Sequence, residues 1–181
     1  MNSIRFPIAS VIILTSLFLV GCGALPLRVK PPVAQQDADS VRFWQGIKNW
    51  QGVPYRHGGS SNSGTDCSGF AMRFYENLYG IQLPRTTAEQ IKTGIPISEK
   101  SLKPGDLIFF RFRNNTGHVG IYLGNGRFTH ASPKKKGITI SSLDNPYWKS
   151  RYRAARRILE KPPKKRLQLF STINLSDQNR Y

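Results

Sequence analysis

Apolar positions along this chain recur with two different periods, and the change falls near Pro104-Gly105. From Asp39 the residues Val41, Trp44, Ile47 and Trp50 return once per helical turn, which predicts an amphipathic helix capped by Asp39 or Ser40 and ended by Gly52 and Pro54. Residues 55–64 are rich in glycine and serine and predict a loop. A second helix is predicted over residues 67–79, where Phe70, Phe74 and Leu78 recur at fours and Gly80 supplies a C-cap. Thr86-Thr87-Ala88-Glu89 has the form of a capping box and opens a third, short helix that stops near Gly94. After Pro104-Gly105 the pattern becomes that of strands, over residues 106–113, 118–123, 127–131, 137–142 and about 152–159. Asn125-Gly126 marks a tight hairpin between two of them. Helices first and antiparallel strands afterwards predict an α+β fold with no internal repeat.

Both ends break these patterns. Arg5 precedes an apolar run over residues 8–20 that is short of the ~20 residues a spanning helix needs. The run closes on Leu19-Val20-Gly21-Cys22, which resembles the lipobox of bacterial lipoproteins. That resemblance implies cleavage before Cys22 and lipidation of its thiol, hence a membrane anchor facing the periplasm. Gly23 stands where many inner-membrane lipoproteins carry aspartate, which favours the outer membrane. Residues 22–38 contain Pro26, Pro31 and Pro32 without periodicity and are expected to form a tether. Residues 39–160 form the expected folded domain, and residues 161–181 a basic, disordered tail.

A length of 181 residues suits one domain with a real core. The formal net charge of +17 directs attention to anionic partners: nucleic acid, anionic lipid or acidic polymer. No recognised nucleic-acid motif is present, and the lipobox places the chain where nucleic acid is scarce, so no nucleic-acid partner is expected. Lys134, Lys135, Lys136, Arg151, Arg153, Arg156 and Arg157 form a basic set that can attract anionic lipid or wall polymer.

The chemistry gathers on few residues. The chain has two cysteines, Cys22 and Cys67, and lipidation of the first leaves Cys67 as a single thiol. Cys67 opens a predicted helix, where unpaired backbone N–H groups and the helix dipole stabilise a thiolate; a lowered pKa is therefore expected. A nucleophilic thiol needs a base, and the base needs an orienting group. The histidines are His57, His118 and His130. A hairpin at Asn125-Gly126 brings the start of one strand, His118, close to the end of the next, His130, so His118 suits the base and His130 the orienter. The same residue types also serve as metal ligands, but close ligand spacing and a second cysteine are missing, so no metal and no cofactor are expected.

Six segments stand in series: Gly52-Val53-Pro54-Tyr55-Arg56-His57-Gly58-Gly59; Asp66-Cys67-Ser68-Gly69-Phe70; Lys103 through Phe110; Gly117-His118-Val119-Gly120-Ile121-Tyr122; His130-Ala131-Ser132; and Ser141 through Trp148. In this order they resemble the NlpC family of cell-wall peptidases. The resemblance implies a reduced papain-like fold, with helices carrying the cysteine against an antiparallel sheet carrying the histidines. It implies a thiol endopeptidase that cuts stem-peptide or cross-link amides in peptidoglycan, with Cys67 as nucleophile, His118 as base and His130 as third polar residue. It places an oxyanion or substrate contact on Tyr55 and substrate contacts on Asp66 and Ser68. His57 departs from the pattern, since close relatives often carry tyrosine there, and it is expected at the cleft rim. Two other readings stand beside this one: a wall-binding lipoprotein without catalysis, and a papain-like acyltransferase or amidase.

Overall fold

The first helix begins before the residue that the hydrophobic pattern marks. A computed structural model of the chain describes residues 33–111 and 117–160, with side chains from Ala38 onward. The expected signal segment, Cys22 with most of the tether, and the expected tail lie outside the described residues, as do residues 112–116. Helix α1 spans Val33–Asn49 and so takes in the end of the expected tether. In the run Ala34-Gln35-Gln36-Asp37-Ala38 the alanines and glutamines are good helix formers and no residue is β-branched, and Pro31-Pro32 stand just before the helix. Its buried stripe is Phe43, Trp44 and Ile47, continued by Trp50 just past the helix end, whereas Val41 is 53% exposed. Val41 is three residues from Trp44, but its direction lies well outside the stripe that Phe43, Ile47 and Trp50 define.

The glycine- and serine-rich stretch contains a small hairpin, with β1 over Ser60–Ser61 and β2 over Gly64–Thr65. Helix α2 spans Cys67–Tyr79 and begins and ends as expected. Asp66 is its N-cap, accepting from the Gly69 N–H, and Gly80 closes it in the left-handed region at φ 65°. Phe70, Phe74 and Tyr75 are fully buried on this helix. The Tyr75 hydroxyl donates to the Gly105 carbonyl, which ties the helix to the Pro104-Gly105 turn. Helix α3, Thr87–Gln90, is capped by Thr86, whose hydroxyl accepts from the Glu89 N–H and donates to the Glu89 carboxylate at 2.7 Å.

Strand β3, Ile95–Ile97, and a 3-10 turn at Glu99–Ser101 precede the main strands. These are β4 (Leu107–Arg111), β5 (Gly117–Gly124), β6 (Arg127–Ser132) and β7 (Gly137–Ser142). Helix α4 (Pro146–Lys149) and strand β8 (Tyr152–Arg157) complete the described residues. The sheet order is β3-β8-β4-β5-β6-β7, every pairing antiparallel. β5 and β6 meet at Asn125-Gly126, with φ of 53° and 69°, the two positive values that a tight hairpin requires.

One face of the sheet, including Leu107, Phe109, Val119, Ile121, Leu123 and Ala131, packs against α1 and α2. The other face, including Ile108, Phe110, Tyr122 and Phe128, is covered by Trp148 and Leu143. Each large side chain so buried contributes roughly 1.5–3 kcal/mol. Inside this frame Asp106 accepts from the Lys103 N–H at 2.8 Å and from Arg157 Nε and Nη2, at 2.8 and 2.7 Å. Arg157 of the expected basic set is therefore committed to a buried carboxylate.

Candidate active site

Cys67 is the first residue of α2, so its position follows from whatever fixes that helix end. Asp66 does most of this. Its Oδ1 accepts from Gly69 N–H at 2.7 Å and from the Ser68 hydroxyl at 3.1 Å, and its Oδ2 accepts from Gly58 N–H at 3.1 Å. Arg85 closes the cluster with contacts of 3.1 and 2.8 Å to the two carboxylate oxygens, and it also donates to Ser68 Oγ at 3.0 Å and the Gly59 carbonyl at 3.1 Å. Burial works against ionisation of Asp66, but the Arg85 hydrogen bond, the Gly69 amide and the Arg85 charge together hold its carboxyl below the usual range. Asp66 and Ser68 thus sit beside the thiol, and their polar atoms already serve the helix cap and Arg85.

Three donors converge on the sulfur. The backbone N–H groups of Val119 and Ser68 point at it, and Thr87 Oγ1 lies 3.7 Å away. Each favours the thiolate, as expected for a helix N-terminus. Burial outweighs them and pushes the Cys67 thiol above its ordinary value, so the expectation of a lowered pKa is corrected. Thr87 also packs on the start of β5, since a Cβ on Gly117 would meet its Cγ2 at 2.8 Å.

The histidines stand on adjacent strands, held by sheet register. His118 pairs with Phe110 across β4–β5, and His130 pairs with Thr139 across β6–β7. His118 Nε2 and His130 Nδ1 are 2.9 Å apart, and His130 Nε2 is 3.0 Å from Ser141 Oγ. Trp148 stacks on His118, with ring centroids 5.6 Å apart at 26°, and meets His130 edge-on at 4.8 Å. The residue after His118 is Val119, whose amide reaches the Cys67 sulfur, so the thiol and the histidine pair meet at the beginning of β5. Burial lowers the His118 pKa to about 4, partly opposed by the Asp66 charge, and burial and His118 together hold His130 well below its ordinary value. These directions favour neutral rings and a protonated thiol at neutral pH.

Tyr55 is brought to the same place. Its loop is fastened to β7 by Tyr55 N–H to the Lys136 carbonyl at 2.9 Å and Ile138 N–H to the Val53 carbonyl at 3.0 Å. Burial raises the Tyr55 pKa, with smaller contributions from Cys67 and Asp66, so it remains a hydroxyl donor near the thiol. His57 is exposed. Among the described residues no group of three His, Cys, Asp or Glu side chains is gathered as a metal site.

Sequence reasoning passed over Arg85, Thr87, Ser141 and Trp148 as site residues. Period-two alternation could have placed Ser141 on the face of His130, but only once the β6–β7 register was known. Asn145-Pro146, a cap followed by proline at the first helical turn, was the available signal for the short helix that carries Trp148.

Helices that carry a cysteine against an antiparallel sheet with paired histidines define an α+β, papain-like class of protein. The chain belongs to the NlpC/P60 family, whose sequence model matches residues 52–157. It is similar to the murein DD-endopeptidase MepS/murein LD-carboxypeptidase of Escherichia coli K12, at 49% identity over 66% of this chain. The chain spans 63% of that relative's length. It is also similar to the probable endopeptidase NlpC of the same organism, at 41% identity over 81% of this chain and 97% of that one. The peptidoglycan hydrolase RipB of Mycobacterium tuberculosis has a similar structure, with a TM-score of 0.59 and 28% identity over 71% of this chain and 69% of RipB.

Proposed function

We propose that this protein is a peptidoglycan endopeptidase that cleaves stem-peptide or cross-link amide bonds by a thiol mechanism. The observation that carries the reading is one convergence: the Cys67 sulfur, at a helix N-terminus, receives the amide that follows His118, and His118 is bonded to His130 at 2.9 Å. In this mechanism His118 accepts the Cys67 proton as the sulfur attacks the scissile carbonyl. It returns that proton to the leaving amine, and then activates water to hydrolyse the thioester. The neutral thiol and neutral imidazole favoured by burial make the first proton transfer part of the attack. First-turn amides of α2 and the Tyr55 hydroxyl are the donors proposed for the oxyanion. His130 orients the base, and Asp66 and Ser68 shape the adjoining wall. The peptidoglycan activities named for MepS and RipB support the substrate class.

The lipobox supports a lipid anchor at Cys22 facing the periplasm, with the outer membrane favoured by Gly23. The basic residues of the domain and tail supply attraction to anionic lipid or wall polymer.

The test is digestion of purified sacculi in water enriched in oxygen-18 by the full chain purified in detergent, with products read by mass spectrometry. Hydrolysis predicts paired fragments with the heavy oxygen in the new carboxylate, and the fragment masses identify the bond. Transfer of the acyl group to another amine without heavy oxygen would replace this reading with the acyltransferase one. Binding to sacculi without any cleavage would favour the wall-binding one.

A further inference from the structure

A carboxylate beside a nucleophilic thiol is a ready partner for a cation on the substrate, and in a peptide that cation is a free N-terminal ammonium. Whether Asp66 can serve one depends on the donors already around it. An ionised carboxylate offers about four lone-pair sites on its two oxygens. On Asp66 Oδ1 converge the Gly69 N–H, the Ser68 hydroxyl and Arg85 Nη1, at 2.7, 3.1 and 3.1 Å. On Oδ2 converge the Gly58 N–H and Arg85 Nη2, at 3.1 and 2.8 Å. These directions are fixed by chemistry, since an ionised carboxylate only accepts, and amides and a guanidinium only donate. Ser68 therefore gives its one hydroxyl proton to Asp66, while its oxygen accepts from Arg85 Nη1 at 3.0 Å. Asp66 is 9% exposed and Ser68 6%, and the charge of Asp66 is matched by that of Arg85 at 2.8 Å. The acceptor sites and the charge that an ammonium would need are taken.

Arg85 is the open member of the cluster. Its terminal nitrogens hold Asp66, Ser68 and the Gly59 carbonyl, and its side chain is 37% exposed. Among the described residues nothing is bonded to its Nε–H, which leaves that donor for an acceptor from outside. Arg85 stands two residues before Thr87, whose Oγ1 is 3.7 Å from the Cys67 sulfur, and it contacts the residues on both sides of Cys67.

We infer that Arg85 is a specificity-determining residue: it fills the cation site of Asp66, so the subsite beside Cys67 takes an N-acylated stretch of peptide and gains nothing from a free N-terminal amine. This rests on the reading of the site as one that binds wall stem peptides. The substrate contact that the family resemblance assigns to Asp66 and Ser68 passes to Arg85, which offers a donor to a carbonyl or carboxylate in place of an acceptor to an amine. A stem joined to the glycan through its N-terminus is such an acylated chain, whereas a released peptide carries the free amine. The subsite thus suits the polymer rather than its released fragments.

The probes are two stem peptides of one sequence, one with a free N-terminal amine and one N-acetylated. Turnover of each by the full chain in detergent gives the ratio of kcat/KM, and calorimetry with Cys67→Ala gives the ratio of affinities without cleavage. The wild-type residue at position 85 should give the free amine no advantage in either ratio. Arg85→Ala uncovers Asp66, and the free-amine peptide should then gain about tenfold to a hundredfold over the acetylated one, in KM rather than kcat. A purely structural role for Arg85 would lower both peptides together and leave the ratios alone. Adding Asp66→Asn to Arg85→Ala removes the uncovered charge and should abolish the gain. Arg85→Gln keeps a donor toward Asp66 and should shift the ratios the same way by less, which serves if thermal melts show Arg85→Ala unfolded. A preference for the free amine of about tenfold or more with Arg85 in place would overturn the inference. Unchanged ratios in the folded Arg85 variants, or binding of neither peptide, would overturn it equally. The expected affinity ratios in a protein that cuts neither peptide would uphold it and reject the hydrolase reading.

Discussion

At the scale of single residues the site is governed by the competition between burial and hydrogen bonding. Donors from Val119, Ser68 and Thr87 favour a Cys67 thiolate, and desolvation outweighs them. The same desolvation holds His118 near 4. The linkage to stability then has a definite sign. An unfolded histidine with an ordinary value of 6.5 binds a proton before the buried one does, so the unfolded state gains protons first as pH falls. Stability contributed by neutral His118 is complete above about 6.5 and lost as pH falls toward about 4, by about 3 kcal/mol for a shift of this size. His130 shifts in the same direction. Urea unfolding of the full chain at pH 7 and pH 4.5 should show this loss, and His118→Gln, which cannot titrate, should make the difference smaller. An equal difference in the variant would assign the pH dependence to other groups. For activity, His118→Ala should lose about as much as removal of the nucleophile, because members of one catalytic unit are not additive. His130→Ala should lose less, and exposed His57→Ala should be nearly neutral. Steady-state rates on a purified muropeptide measure the order, and a largest loss at His57 would contradict the assignment.

Elements place these residues, and the element boundary at Asp66-Cys67 matters most. Asp66 caps α2, receives the Gly58 amide and pairs with Arg85. Asp66→Ala removes the cap and the carboxylate that Arg85 pairs with, a pair screened by solvent at the half-exposed Arg85, for an expected loss of about 1–2 kcal/mol. Asp66→Asn keeps an acceptor for the cap and should lose less. Thermal melts decide, and equal melting of alanine variant and wild type would show that the cluster does not hold the helix end. Strong local rules made much of this legible in advance. Phe70, Phe74 and Gly80 announced α2, Thr86 through Glu89 announced α3, and Asn125-Gly126 announced the hairpin that brings His118 to His130. What escaped was set by tertiary contact. Val41 matched the period but points away from the stripe, and Phe43 fills the core in its place. The Arg85–Asp66 pair joins residues nineteen apart through space, which no periodicity records. Ser141 became meaningful only through the register of β6 on β7. The raised pKa of Cys67 is not legible in the sequence, because a helix N-terminus is visible there and the burial of a sulfur is not.

For the molecule as a whole, a proposed peptidoglycan-cleaving domain is joined to a proposed membrane anchor. The proposed anchor is testable apart from catalysis. Cys22→Ala should move the protein out of the membrane fraction of cells and leave its rate on a small muropeptide unchanged, as fractionation and turnover would show. Retention in the membrane would mean that some other segment holds it there. The family, the α+β scaffold and the geometry around Cys67 all bear on one central claim, that this thiol is the nucleophile of a peptidoglycan endopeptidase. The most direct measurement is release of soluble fragments from purified sacculi by the wild type, Cys67→Ala and Cys67→Ser, with melting temperatures taken on the same samples. The account predicts release by the wild type alone, near-complete loss in both variants, and melting temperatures close to that of the wild type. Release by folded Cys67→Ala at the wild-type rate would contradict it.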